Sequence, residues 1–359
     1  MRMKIIILPS ILTFFLSGCM NIEPTILNEI NLATTISYDY IDKEHFSSTA
    51  VIPYYMPDKK VNNVTFTATS SLSKDVRQKM NQQTDKPIYS GKLEVVLYSK
   101  ELAKHDLTRL TDTLIRDPSI GNTVYLAIVD GKARDILAKQ FGNVDKGTYL
   151  SREIEHNIES GILPKTNLHL FSYALNADGM DPFLPLIKSN NGNPIITGVA
   201  LFDKGKFVYQ TKDHENIIFK MLVEKSSNKE GFSAKLGKKS FASVYNISSK
   251  VSYDIPEPMT ASPIIITLKI EAVLREFTGK HADKKEIRKI EKKMEENLEN
   301  RAEKLITKLQ ELQIDPLGIG EQVRTRTRNW DKKKWEEIYP TIPVHVNVKL
   351  SILESGAVE

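Results

Sequence analysis

The only cysteine of this 359-residue chain is Cys19, so no intrachain disulfide is available and the fold must be held by packing and hydrogen bonding alone. Its surroundings say more. Arg2 and Lys4 open the chain, residues 5–16 form an apolar stretch, and the small residues Ser17 and Gly18 lead into Cys19. A basic start, a short apolar segment and small residues before a cysteine are the parts of a secretory signal peptide ending in a bacterial lipobox. The stretch is too short to cross a hydrocarbon core, which takes about 20 residues. The expectation is cleavage before Cys19, an S-diacylglycerol on its sulfur and an N-palmitoyl chain on the new amino terminus.

Several acyl chains bury many methylenes at about 0.8 kcal/mol each, whereas one chain holds a membrane only marginally. The mature chain is therefore expected on the outer face of the bacterial cell membrane, anchored by lipid. No later apolar run approaches spanning length, and residues 263–270 are strand-sized. The formal charge of +5 falls to +3 once Arg2 and Lys4 leave. So small and dispersed an excess argues against nucleic acid as a partner.

Along the mature chain, apolar periodicity and turn residues set out the elements. Pro24 opens a short helix carrying Ile26, Leu27 and Ile30, before a strand at 32–38. Residues 64–69 alternate as a half-exposed strand and 72–80 read as a helix. Residues 93–98 form an apolar strand. Ser99 caps a helical pattern through Leu102, Leu107, Leu110 and Leu114 that stops at Arg116-Asp117-Pro118. A strand is expected at 123–129, helices at 133–138 and 148–160, the latter ending at Gly161, and a strand at 168–175. Strands alternating with helices indicate a mixed α/β layer structure.

Asn190-Asn191-Gly192-Asn193-Pro194 reads as a break. Beyond it come a hairpin (195–202 and 206–210), a helix (212–223), a polar loop (226–239) and a strand (240–253). Pro256-Glu257-Pro258 marks a second seam, since proline is excluded from central strands. A strong strand (264–273), a long helix (283–312) and a closing strand (343–352) complete the chain. Ile287, Ile290, Met294, Leu298, Leu305, Leu309 and Leu312 make one apolar stripe on that helix. Its dense Glu and Lys, often a turn apart, read as a solvated face. The predicted fold class is α+β: three mixed α/β domains in series behind a lipidated N-terminus, with a signal peptide at 1–18 and domains at 19–193, 194–258 and 259–359.

Residues able to carry catalysis do not converge. His45, His105, His156, His169, His214, His281 and His345 are scattered, none at ligand spacing. Asp178-Gly179-Met180-Asp181 resembles a fragment of a calcium loop without its distal glutamate and reads as a turn. Gly318-Ile319-Gly320 lacks the third glycine and the preceding strand of a dinucleotide site. Arg324, Arg326 and Arg328, followed by Trp330 and Trp335, could form a docking patch. The favoured reading is that the tryptophans pin this segment to the core by area. No catalytic residue, metal site or cofactor is expected.

Several separate stretches carry a resemblance. They are Ile26-Leu27-Asn28-Glu29-Ile30 with Tyr38-Asp39; residues 93–103 and 110–117; Ile196-Thr197-Gly198-Val199-Ala200-Leu201-Phe202; and a C-terminal block. That block comprises Asp315-Pro316-Leu317-Gly318-Ile319-Gly320, Trp330, Trp335, Tyr339-Pro340 and a strand ending near Gly356. Together they resemble the C-subunit lipoproteins of bacterial spore germinant receptors, the Ger(x)C family, over nearly the whole mature chain. The resemblance implies a three-domain mixed fold and a non-enzymatic receptor or scaffold role. It also implies a place on the outer surface of the spore inner membrane, and two integral membrane partners, the A and B subunits, with which nutrients trigger germination. It carries over no catalytic residue, so Cys19 is the one site transferred.

A solute-binding lipoprotein of an importer is the alternative, since it too begins with a lipobox; it would show two doubly wound lobes around a ligand cleft. A surface-anchored hydrolase ranks third, for want of a nucleophile or metal site.

Overall fold

The computed structural model describes residues 26–190, 193–225, 231–236, 240–279 and 283–355. Cys19, His281 and Gly356 lie outside the described residues. A 3-10 turn at Leu27–Glu29 leads into β1 (Asn31–Leu32), and then β2 (Thr35–Tyr40), β3 (Phe46–Tyr55) and β4 (Val61–Ser70) follow as an antiparallel meander. Helix α1 (Ser73–Asn81) and β5 (Ile88–Tyr89) precede β6 (Val95–Ser99); β5 pairs in parallel with β1.

The strand-helix alternation continues with α2 (Lys100–Ala103), α3 (Thr108–Ile115), β7 (Tyr125–Val129), α4 (Ala133–Ala138), α5 (Lys146–Glu159), α6 (Leu168–Asn176) and β8 (Phe183–Asn190). β9 (Asn193–Asp203) and β10 (Lys206–Gln210) finish an eight-stranded sheet of order β10-β9-β8-β7-β6-β2-β3-β4, with β2, β6, β7 and β8 parallel to one another.

The central strands are apolar on both faces, as a parallel sheet covered on both sides requires. On β6, Val95 and Leu97 enter one core layer, and Val96 and Tyr98 the other. The first layer takes Ile136, Leu150 and Ile154 from α4 and α5, with Ile218 and Phe219 from α7 (Asp213–Val223). The second takes Val76, Leu102, Leu110 and Leu114 from α1–α3 and Phe171 from α6. Each such side chain contributes about 1.5–3 kcal/mol when fully buried. Asp39, at the end of β2, accepts the N–H groups of Ala133 and Arg134 at 2.6 and 3.0 Å, so it caps α4 from a distant part of the chain.

A second sheet follows: β11 (Gly231–Lys235), β12 (Phe241–Asp254), β13 (Ile264–Phe277) and β14 (Val344–Ser355), in that order. α8 (Lys284–Glu311) carries the chain from β13 across to its parallel neighbour β14, with the short helices α9 (Ile319–Arg324) and α10 (Lys332–Ile338) on the return. Asp283 caps α8, accepting Glu286 N–H at 2.7 Å. The apolar stripe of α8 enters the first core layer, which runs unbroken from the large sheet into the small one.

The mixed α/β architecture agrees with the sequence; several local expectations do not. Residues 168–175 form helix α6, not a strand. Asn167 accepts Leu170 N–H at 2.9 Å, and Leu168, Phe171 and Ala174 bury at helical spacing. The helical pattern from Ser99 to Leu114 is two helices, broken where Asp106 takes a φ of 83° and caps Thr108. Strand β11 occupies part of the expected loop at 226–239.

Both expected domain boundaries fall inside sheets. Asn190 pairs with Asn193 across a hairpin, so 194–210 continues the sheet begun at residue 35, and β12 pairs with β13 on either side of Pro256 and Pro258. The acidic face of α8 is not simply solvated. Glu291, Glu295, Glu299 and Glu303 accept the N–H groups of Ile352, Leu350, Val348 and Val346, at 2.8–3.2 Å, along the outer edge of β14.

Candidate functional site

The densest polar construction joins the two sheets. The turn expected at Asp178–Asp181 follows α6 and meets the loop that ends α8. Asp181 accepts Asp315 N–H on Oδ2 at 2.8 Å and Lys204 N–H on Oδ1 at 3.2 Å, while its own N–H donates to Asp315 O at 2.9 Å. Asp315 accepts Ile319 and Gly320 N–H at 3.0 and 2.6 Å, one on each carboxylate oxygen.

Two glycines make this geometry possible. Gly318 has a φ of 69°, in the left-handed region that glycine enters without cost. Gly320 lies so close to the Trp335 indole and the Gly179 carbonyl that a Cβ there would collide with both. The Gly179 carbonyl is already bonded to Glu321 N–H at 2.7 Å.

Burial pushes the Asp315 carboxyl up to about 7 despite its N–H donors, and Asp181 adds to the rise. The same burial raises the Tyr339 hydroxyl, which donates to Ile314 O at 2.9 Å. Both buried carboxylates accept main-chain donors, and the Lys204 ammonium lies 3.4 Å from Asp181 Oδ1, so the pair clasps the two segments together.

Trp335 is buried, its ring centroid 5.4 Å from that of Tyr339 and 6.1 Å from that of Trp330. The tryptophans thus fasten the segment to the core, and the arginines stay outside. Arg324 is held by Glu321 at 2.6 and 2.7 Å, Arg326 bonds Gln322, and Arg328 is exposed.

The histidines among the described residues form no cluster with metal-binding partners: His45 bonds Asp42 at 2.9 Å, His105 stacks on Tyr40 at 4.3 Å, His169 lies in α6 and His345 in β14, 3.8 Å from Glu303. Among the described residues no cluster of three His, Cys, Asp or Glu could hold a metal ion, and no helix is long and apolar enough to cross a membrane.

An open groove of about 600 Å³ lies past the carboxyl end of β7, lined by Asp130, Lys188, Tyr209 and Lys212. At its side Lys100 bridges Asp130 and Gln210 at 3.2 and 2.9 Å.

Two groups, a buried lysine and a partly buried glutamate, escaped the sequence reading. Lys220 is fully buried and donates to Ile158 O, Leu163 O and Glu224 at 2.6–3.1 Å, one partner for each of its protons. Glu153 keeps a buried oxygen without a hydrogen-bond partner, and desolvation pushes its carboxyl up to about 7.

The end where the chain emerges toward Cys19 has a different character. Asn31 is held by Tyr54 Oη at 3.1 Å and donates to Lys86 O, which ties β1 to the end of β3 and to β5. Around it Ile26, Leu27, Tyr55, Met56 and Tyr89 are exposed. Lys92 donates to Tyr55 Oη at 2.8 Å, with its ammonium 4.9 Å from that ring's centroid.

Residues 23–189 match the family model described as spore germination protein N-terminal domain, and residues 197–356 match spore germination B3/GerAC like, C-terminal. The two matches meet at the hairpin of Asn190 and Asn193, so the second segment supplies β9 and β10 to a sheet begun by the first.

The chain is 29% identical over 365 residues to spore germination protein GerQC of Bacillus cereus, covering 99% of this chain and 100% of that one. It is 23% identical over 308 residues to putative spore germination protein YfkR of Bacillus subtilis, covering 81% and 78%. The crystal structure of the GerBC protein shares the fold, with a TM-score of 0.59 at 19% identity over 89% of this chain and 96% of that one.

Proposed function

The chain belongs to the spore germination GerAC-like family, and from that premise we propose that it is the lipid-anchored C subunit of a nutrient germinant receptor. The observation that carries the reading is the match of both family segments in order, with a relative named for spore germination aligned over nearly all of both chains. On this reading Cys19 bears the diacylglycerol and palmitoyl chains. They hold the folded body at the outer face of the spore inner membrane, beside the integral membrane A and B subunits. The protein works by contact rather than catalysis. The carboxylates of Asp181 and Asp315 serve as structural acceptors, and Lys220 finds its partners in main-chain oxygens and Glu224.

Co-purification of the tagged protein from spore membranes, wild type against Cys19→Ala, tests this. Two integral membrane partners recovered with wild type, and both membrane retention and germination reduced in the variant, are the expected result. A nucleotide-driven permease recovered instead would establish the importer alternative. A Cys19→Ala protein that stays on the membrane with full activity would remove the anchor from the account.

A further inference from the structure

We propose that the end of the molecule formed by the Leu27–Glu29 turn, the two-stranded β1–β5 pair and the end of β3, bearing Ile26, Leu27, Tyr55, Met56 and Tyr89, rests against the headgroup layer of the membrane, which fixes the orientation of the whole body; this rests on lipidation of Cys19 as read above. The first ground is covalent reach. Seven Cα steps separate Cys19 from Ile26, and at 3.3–3.6 Å per residue they span at most about 25 Å. The place where the chain emerges is therefore tethered within about 25 Å of the anchored sulfur, and a surface so tethered meets the bilayer at high effective concentration even when its own affinity is weak.

The second ground is side-chain chemistry. Ile26 and Leu27 are 55% and 66% exposed, Tyr55 61% and Met56 50%. The β1–β5 pairing places Leu32 beside Tyr89, itself exposed, and the Tyr54–Asn31 bond brings the end of β3 to the same place. Tyrosines with an apolar body and a polar tip belong to the boundary between hydrocarbon and water. Lys92, its ammonium over the Tyr55 ring and donating to that hydroxyl, sets a cation beside the exposed tyrosine.

Lys59 and Lys86 are exposed at this end and add attraction to an anionic leaflet. Of the acidic groups at this end, Asp58 pairs with Lys60 at 2.8 Å and Asp85 accepts from Asn31, while Glu29 is exposed beside Leu27. An anionic lipid surface, rather than an acidic protein, is the partner that takes apolar side chains, ring edges and ammonium groups arranged about the root of an acylated segment.

Single-cysteine labelling tests the orientation, because the sulfur of Cys19 is blocked once it is acylated and no other cysteine exists. The full chain is produced in a host that lipidates it, as Tyr55→Cys, Tyr89→Cys or Lys308→Cys, the last on the exposed side of α8. It is labelled with an environment-sensitive fluorophore and reconstituted on vesicles of phosphatidylglycerol and phosphatidylethanolamine containing a doxyl-lipid quencher. The expected result is a blue shift and quenching several-fold stronger at positions 55 and 89 than at 308.

Water-like emission at 55 and 89 from protein that floats with the vesicles would overturn the docking face and leave the anchor standing. Equal quenching at 308 would overturn it as well. Protein that does not float would remove the anchor and this proposal together. Tyr55 and Tyr89 are exposed and Lys308 is half-exposed, none of them a core residue, so the substitutions leave the core untouched.

Discussion

Glu295 of α8 accepts the main-chain N–H of Leu350 in β14 at 2.8 Å, and Glu291, Glu299 and Glu303 repeat the contact at Ile352, Val348 and Val346. Four helical residues rise about 6 Å and two strand residues about 6.6 Å. A carboxylate at every fourth helical position therefore meets an N–H at every second strand position, running in opposite directions, with flexible side chains taking up the small mismatch. An unpaired strand edge is a template for aggregation. This one is closed by side chains where another strand would otherwise pair.

Removing two adjacent rungs tests that role. Glu295→Ala with Glu299→Ala should destabilise the protein by about 1.5–3 kcal/mol per lost charged hydrogen bond, read by urea denaturation, and should raise light scattering on storage. Glu295→Gln, which keeps an acceptor oxygen, should recover most of the stability. Equal stability of the double alanine variant and wild type would show the ladder to be incidental.

Gly320→Ala should cost about 1–3 kcal/mol, the usual penalty for overpacking, because its Cβ meets the Trp335 indole and the Gly179 carbonyl together. Near-ultraviolet dichroism from the tryptophans should change with the melting temperature. At Gly318, where a Cβ would make only ordinary van der Waals contacts with Met180 and Glu321 and the positive φ is what is at stake, alanine should cost less, about 1 kcal/mol.

The buried carboxyl of Glu153 makes stability depend on pH. Its folded value, about 7, lies above the ordinary glutamate value of 4.5, so the native state holds a proton that the unfolded chain has lost. Its favourable contribution is complete below about 4.5 and disappears as pH rises through 7. Glu153→Gln should therefore melt above wild type at pH 8, and the difference should shrink toward pH 5. A difference that is the same at both pH values would mean the carboxyl is not desolvated.

Truncation after Asn190 should not yield a stable N-terminal half, although a family boundary falls there. It removes β9, whose registered pairs cover β8 from Phe183 to Asn190, and uncovers an apolar strand at the new edge. Extension to Gln210, which restores β9 and β10, should improve solubility in a fractionation assay. Equal solubility of the two fragments would refute this account of the hairpin.

Residues 133–138, the long helix and the closing strand were legible because the apolar period in each is regular; in the long helix the Asp283 cap adds to it. Helix α6 was not. In Leu168-His169-Leu170-Phe171 the apolar residues satisfy both strand and helical spacing, and the arbiter is Asn167, a cap recognised by its bond to Leu170 N–H. The rungs of the ladder were in plain view as glutamates four apart, but their partners are main-chain N–H groups, which leave no mark on a sequence. The Gly318–Gly320 loop was visible, and what it clasps was not, since Asp181 lies 134 residues away from Asp315.

The hairpin at Asn190 and Asn193 governs how the molecule can move. A hinge between the two family segments would have to tear β8 from β9, a loss of several main-chain hydrogen bonds from a strand that begins in the core. The seam seen in the family architecture is therefore a stiff joint.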